Sequence, residues 1–275
     1  HHQVRRDTPR VIYNTWAHAY ALEAFARLLA RETDEEVRRR LRAGAAQAVK
    51  WLVAYEYVDG GWGYYSFSLG SRTPAHGHST SFTTATALVA LRMAADQGVD
   101  VPERIVERGQ TVIRACRLPG GAYSYGYNLR YRMPYGVNKP EGSLARTPAC
   151  QAALLAWGEP LPTSRVVAAL DRLEEKGFFL RIARKYPFPH ESWFQNSGYF
   201  CFYGYYYASS LLDDVPAAKR SFHRRRIAAH LVHLQESDGA WWDYQLYGYH
   251  KPYGTGYVLL ALGRCLAAGN DEGDA

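Results

Sequence analysis

One corner occurs three times in this chain and limits what it can fold into. A stretch of helical periodicity stops at glycine, an aromatic ring follows, and a new apolar stretch begins further on. The corners read "DGGWGYY" from Asp59, "PGGAYSY" from Pro119 and "DGAWWDY" from Asp238. Glycine ends a helix by accepting the left-handed backbone conformation, and the ring then packs back over the corner. A repeat of this kind cannot bury its apolar face alone, so successive copies must stack.

Apolar residues recur at helical spacing in five nearly uncharged segments that start at Trp16, Ser79, Thr147, Ser197 and Tyr253, which predicts helices buried on most sides. Segments with one charged face alternate with them over 34–56, 102–117, 163–177 and 218–236 and read as amphipathic outer helices. Ser79, Thr147 and Ser197 stand where N-caps belong. Alternating inner and outer antiparallel helices close into a helical barrel. The expectation is an all-α fold with little or no sheet.

Composition limits the class further. The 275 residues are 47% hydrophobic, enough for a substantial core, which excludes a disordered chain. The net charge of +7 mildly favours anionic partners. Its basic residues are spread along helix faces such as "EEVRRRLR" and "FHRRR", so no nucleic-acid partner is expected. The four cysteines are isolated, with neither a Cys-x-x-Cys pair nor a zinc spacing, and read as buried free thiols. No apolar run reaches membrane-spanning length. The chain opens at "HHQVRRDTPR" without Met, which leaves a removed export signal open and the compartment unassigned.

These corners carry a resemblance. "HLVHLQESDGAW", with Leu234-Gln235 before Asp238-Gly239-Ala240-Trp241, resembles the QW-type repeat of the terpenoid cyclase and protein prenyltransferase superfamily, and "YGTGYVLLAL" resembles the inner helix that follows it there. A second copy, "KWLVAYEYVDGGWGYY" leading into "TSFTTATALVAL", lacks the Gln but keeps the corner as Gly60-Gly61-Trp62. The resemblance implies one α/α-toroid domain over residues 1–275. About four and a half hairpins can be counted, so an N-terminal hairpin is missing or the ring stays open. The family's chemistry is not matched. There is no Asp-x-Asp-Asp acid motif, since "SLLDDVP" offers only Asp213 and Asp214, and there is no Asp-x-Cys zinc pair. Where a zinc-binding His would precede Thr, the chain reads Tyr253-Gly254-Thr255.

In such a toroid the inner helices run parallel, so the loops that enter them meet at one rim. These are the long loops, over 64–78, 124–146, 184–196 and 242–252, and they concentrate Tyr, His and Arg, as a site on one face would. Inner-helix N-termini add positive charge there, so an anionic group is the expected guest. Arg146, Tyr127, Tyr131, Lys139, Trp193 and Tyr253 are the binding candidates.

"FPHESWFQNSGYF" is the densest polar cluster. His190 could act as base and Tyr199 as acid with Glu191 fixing the imidazole, or Glu191 and Asn196 could simply cap the helix. His250 and Asp243 belong to the neighbouring loop, and Asp243 is either a buried acid or a structural acceptor. His76 and His78, two apart, are the weak metal candidates, needing a third ligand from another loop; no cofactor is otherwise expected. Three readings follow. The first is an enzyme binding an isoprenoid or other hydrophobic ligand with an anionic head, as the resemblance implies. The second is a lyase on an acidic glycan, and the third is a non-catalytic binding or scaffold module.

Overall fold

The computed structural model describes residues 14–63, 78–132, 135–244, 248 and 250–267. Among them are ten α-helices and no strand, and the only extended pairing is an isolated antiparallel bridge between Thr80 and Gly126. The fold is all-α, with the alternation of inner and outer helices that defines the α/α-toroid class. No helix among the described residues is long and apolar enough to cross a membrane. All four cysteines are buried free thiols.

The chain divides into two compact units. Unit 1 holds α1 (Asn14–Leu29), α2 (Glu35–Tyr55), α3 (Ser81–Asp96), α4 (Glu103–Ala115) and the end of α5 (Arg146–Ala156). Unit 2 holds the start of α5, then α6 (Thr163–Lys176), α7 (Phe178–Ala183), α8 (Cys201–Ser210), α9 (Ala217–His233) and α10 (His250–Leu266). Burial on most sides holds for α3 and α8, where every residue from Cys201 to Ser209 is buried, but not for α10, which buries one stripe of Gly254, Tyr257, Val258, Ala261 and Cys265, nor for α1, where Leu28 is exposed. The outer helices bury one stripe, such as Val166, Ala169, Leu170 and Leu173 on α6, spaced three and four apart as a single helix face requires. α2 starts cleanly because Asp34 accepts the Val37 N–H at 3.0 Å and Glu35 and Glu36 sit at the positive end of the helix dipole.

The corners share one construction. The backbone folds back through Tyr57 N–H to Gly61 O, Leu118 N–H to Ala122 O and Glu236 N–H to Ala240 O, at 2.8, 2.9 and 2.9 Å. Left-handed glycines at 60, 61, 120, 121 and 239 make that turn possible. The next ring packs inward: Trp62 donates its indole N–H to Leu52 O at 2.8 Å, and Trp241 donates to Leu231 O at 2.6 Å, each onto its own outer helix. A hydroxyl then ties the corner to the following helix. Thr84, Ser143 and Thr255 each accept the corner N–H, from Trp62, Tyr123 and Trp241, at 3.0 Å. Replacing Thr84 by Val keeps the shape and leaves the buried Trp62 N–H without its acceptor; the expected cost in chemical denaturation is about 1–3 kcal/mol.

Two details differ from the sequence reading. Thr80, not Ser79, occupies the N-cap of α3 and makes no side-chain cap bond; Thr147 lies inside α5, and its hydroxyl meets that of Ser143 at 3.0 Å. Ser197 holds His190 rather than a helix end. Ser197 thus binds an incoming loop, whereas Ser79 Oγ is buried without a hydrogen-bond partner among the described residues and Thr80 Oγ1 meets Thr83 Oγ1 at 2.8 Å. The second difference is α7, six residues directly after α6, which periodicity does not reveal at that length.

Candidate functional site

The acid–base candidates of unit 2, His190, Glu191, Tyr199, Asp243 and His250, lie where two loops enter α8 and α10. Gly198, at the start of α8, lets these loops approach: a Cβ there would stand 2.5 Å from Asp243 O and 3.1 Å from Arg184 Cα. Tyr244 fastens the same junction by donating its phenol O–H to Pro187 O at 2.8 Å.

On the first loop, His190 and Tyr199 form a hydrogen-bonded pair. Nδ1 of His190 lies 2.8 Å from Gln195 O, an acceptor only, so this nitrogen carries the proton and Nε2 accepts the Tyr199 O–H at 3.2 Å. Ser197 Oγ accepts the His190 backbone N–H at 2.9 Å. Burial lowers the pKa of His190 from its ordinary range; the Gln195 carbonyl opposes that shift, and the nearby Arg146 charge adds to it. His190 is thus neutral at physiological pH, the form that a base needs. Glu191, expected to orient the imidazole, is exposed, and Gln195 and Ser197 do the orienting.

That loop is strained. His190, Phe194 and Gln195 have φ of 66°, 54° and 55°, left-handed values that non-glycine residues adopt at about 1–3 kcal/mol each. Three bonds hold the shape: Gln195 Oε1 accepts the Val137 N–H at 3.0 Å, and Asn196 Nδ2 donates to Glu141 O and Trp193 O at 3.0 and 3.1 Å. Asn196 therefore pins a loop rather than capping a helix.

On the second loop, His250 opens α10 with Nδ1 3.1 Å from Asp243 Oδ1. Asp243 is completely buried, and burial raises its pKa against the opposing hydrogen bond from His250. Its other oxygen, Oδ2, is buried without a hydrogen-bond partner among the described residues. Donation from Nδ1 to Asp243 places the lone pair of a neutral His250 on Nε2.

Tyr244, absent from the sequence candidates, brings the two pairs together. Its ring meets Tyr199 edge-on at 6.0 Å between centroids and His250 at 5.3 Å. Tyr253 completes the surround, 5.7 Å from His250 and 4.5 Å from Tyr257. The result is an unbroken line of side chains, His190, Tyr199, Tyr244, His250 and Asp243. The sequence clue to Tyr244 was its place in "WWDYQLYGYH", beside Asp243.

Arg146 lies elsewhere than expected. It is 1% exposed and donates to Tyr123 O at 3.3 Å and to Val137 O, with its guanidinium over the Phe200 ring. It does not open on an exposed rim. Burial follows from the loop carbonyls that gather round it, and its charge reaches the site through His190. Trp193 is 65% exposed and Lys139 is exposed. Tyr127 and Tyr131 belong to unit 1, where Arg130 lies over both rings. His78 is 3.5 Å from Asp59 Oδ2, and His76 lies outside the described residues. Among the described residues no three His, Cys, Asp or Glu side chains converge as a metal-ligand set. A Cβ at Gly254 would stand 2.7 Å from Trp241 O, so glycine there lets the corner pack against α10.

No family model and no curated protein matches the chain. Among solved structures it is similar to a protein from Actinoplanes, at 18% identity and a TM-score of 0.53 over 91% of this chain and 65% of that one. An alpha-2-macroglobulin from Salmonella gives 16% and 0.48 over 94% of this chain and 17% of that one. The type II terpene cyclase MstE from Scytonema gives 15% and 0.39 over 92% and 87%. The chain thus spans under two thirds of the first two proteins, and at these identities the likeness concerns the fold and nothing finer.

Proposed function

We propose that the chain is an enzyme that moves protons, with His190–Tyr199 and Asp243–His250 as its two acid–base pairs. The observation that carries this reading is the convergence of both pairs on Tyr244 from separate loops. Each pair has one member able to accept a proton and one able to hold or return it, the arrangement general acid–base catalysis requires. Tyr199 with neutral His190 behind it serves as a phenol that gives up or receives a proton. His250, oriented by the buried Asp243 carboxyl, serves as the opposing base.

The guest has an anionic group and a broad apolar or ring face. Two classes meet that description. An isoprenoid with an anionic head is favoured by the aromatic surround of His250 and by the superfamily resemblance. An acidic glycan is favoured by the packing of α8: Tyr203, Tyr205, Tyr206 and Tyr207 are at most 1% exposed, so their rings fill the interior instead of lining a chamber for a lipid chain.

The test is turnover of polygalacturonate and of an isoprenoid diphosphate by the intact chain and by His190→Asn and His250→Asn. Either substitution is expected to lower turnover of the accepted substrate by roughly 10²–10⁴-fold without lowering Tm. Turnover of either compound that survives both substitutions removes the assignment, and a chain that turns over neither returns to the scaffold reading.

A further inference from the structure

We propose that the seam between α6 and α9 is an acid-sensitive clasp, in which His223 and His230 of α9 hold against Asp171 and Glu174 of α6 while neutral and release when protonated. Two helical turns separate the histidines, so both lie on the face of α9 toward α6. His223 is 0% exposed, and its Nε2 stands 3.3 Å from Asp171 Oδ1. Neither of its ring nitrogens has a hydrogen-bond partner among the described residues. His230 Nε2 lies 3.2 Å from Glu174 Oε2, to which the neutral imidazole donates.

The charge count makes the seam sensitive to acid. Each carboxylate already has a cation: Lys219 Nζ is 3.5 Å from Asp171 Oδ1, and Arg226 Nε is 3.0 Å from Glu174 Oε2. Arg181 of α7 is the third positive charge and acts on His230. Protonating both histidines therefore raises the cations from three to five against two carboxylates, at a seam where His223 is out of reach of water. Tyr205 of α8, whose ring is 6.0 Å from His230, offers no charge to offset them, because burial raises the pKa of its phenol. Asp213 and Asp214 on the preceding turn face Arg220 and Arg224 instead, and Cys265 of α10 lies beside Arg224.

Burial lowers the pKa of both histidines. At His223 the carboxylates of Asp171 and Glu174 oppose that shift and Lys219 adds to it; at His230 Glu174 opposes it, and Arg181 and Arg226 add to it. The folded chain thus binds these two protons less tightly than the unfolded chain does. Stability from that difference is present above the ordinary histidine value of 6.5 and is lost as the pH falls through the folded values. The corner after α9 is tied to the same helix, because Leu231 O, next to His230, receives the Trp241 indole N–H at 2.6 Å.

The clasp is tested by amide hydrogen exchange of the intact chain at pH 7.5 and pH 5.0, corrected for the intrinsic pH dependence of exchange and read over 217–241. His190 titrates in the same direction on its own loop, so the readout is confined to α9 and its corner. Corrected exchange in that segment is expected to be about ten-fold faster at pH 5.0. With His223→Leu and His230→Gln combined, the ratio is expected to fall to about two-fold or less, since neither new side chain titrates and Gln still donates to Glu174. His223→Gln replaces His223→Leu if that chain fails to fold. Three results overturn the proposal: corrected exchange that is equal at the two pH values, an acid increase that survives both substitutions, or imidazole resonances that place the pKa of His223 or His230 above 6.5 in the intact chain.

Discussion

Arg146→Ala is expected to lower the stability of the folded chain by about 3–5 kcal/mol in chemical denaturation, far more than a rim arginine would. The side chain is 1% exposed and its guanidinium bonds the carbonyls of Tyr123 and Val137, one from the corner before α5 and one from the loop that precedes it. Removing it strands two acceptors, each at a cost of about 1–3 kcal/mol, and opens a cavity over Phe200. The same change withdraws a positive charge that depresses the pKa of His190. The His190 pKa, followed by its imidazole proton resonances, is therefore expected to rise in Arg146→Gln, a milder variant that is neutral and keeps a hydrogen-bond donor. An Arg146→Ala chain as stable as its parent would mean that Arg146 is not the post that holds these loops.

Arg146 also shows where sequence reasoning stops. Its position at the start of α5 was legible, because the apolar period that defines α5 starts beside it. Its burial was not, because the two carbonyls that receive it lie on loop residues 123 and 137, and nothing periodic fixes the path of those loops. Trp62 and Trp241 were legible for the opposite reason: glycine, ring and helical period all fall within one short segment, so local rules determine the outcome. Ser197 was read as a cap because hydroxyls before a helix usually are; His190, seven residues earlier, recruits it first. α7 escaped notice because six residues are too few to display a helical period. In the site, His190 with Tyr199 could be read from one polar cluster. That His250 should share their rim was an expectation from the order of the loops; the route by which it meets them, through Tyr244, could not be read, since nothing periodic fixes where that ring lies.

Asp243→Asn is expected to separate stability from chemistry. The carboxyl is completely buried, and burial lifts its folded pKa above the ordinary 3.8. The folded chain therefore binds this proton more tightly than the unfolded chain does. Stability from that difference is fully present below the unfolded value and is lost as the pH rises through the folded one. Asparagine has nearly the same shape, carries no ionisable proton and can still accept from His250 Nδ1. The variant is thus expected to lose less stability than its parent as the pH is raised from 4 to 7, a difference read directly from melting temperatures across that range. Turnover should move the other way. A neutral amide no longer stabilises the imidazolium that His250 becomes when it takes a proton, and turnover is expected to fall by roughly 10²–10⁴-fold. A variant that is less stable than its parent at pH 7 would make Asp243 an anionic anchor for His250, held for the fold. A variant with both unimpaired turnover and higher stability would take Asp243 and His250 out of the chemistry, leaving His190 and Tyr199 to act alone.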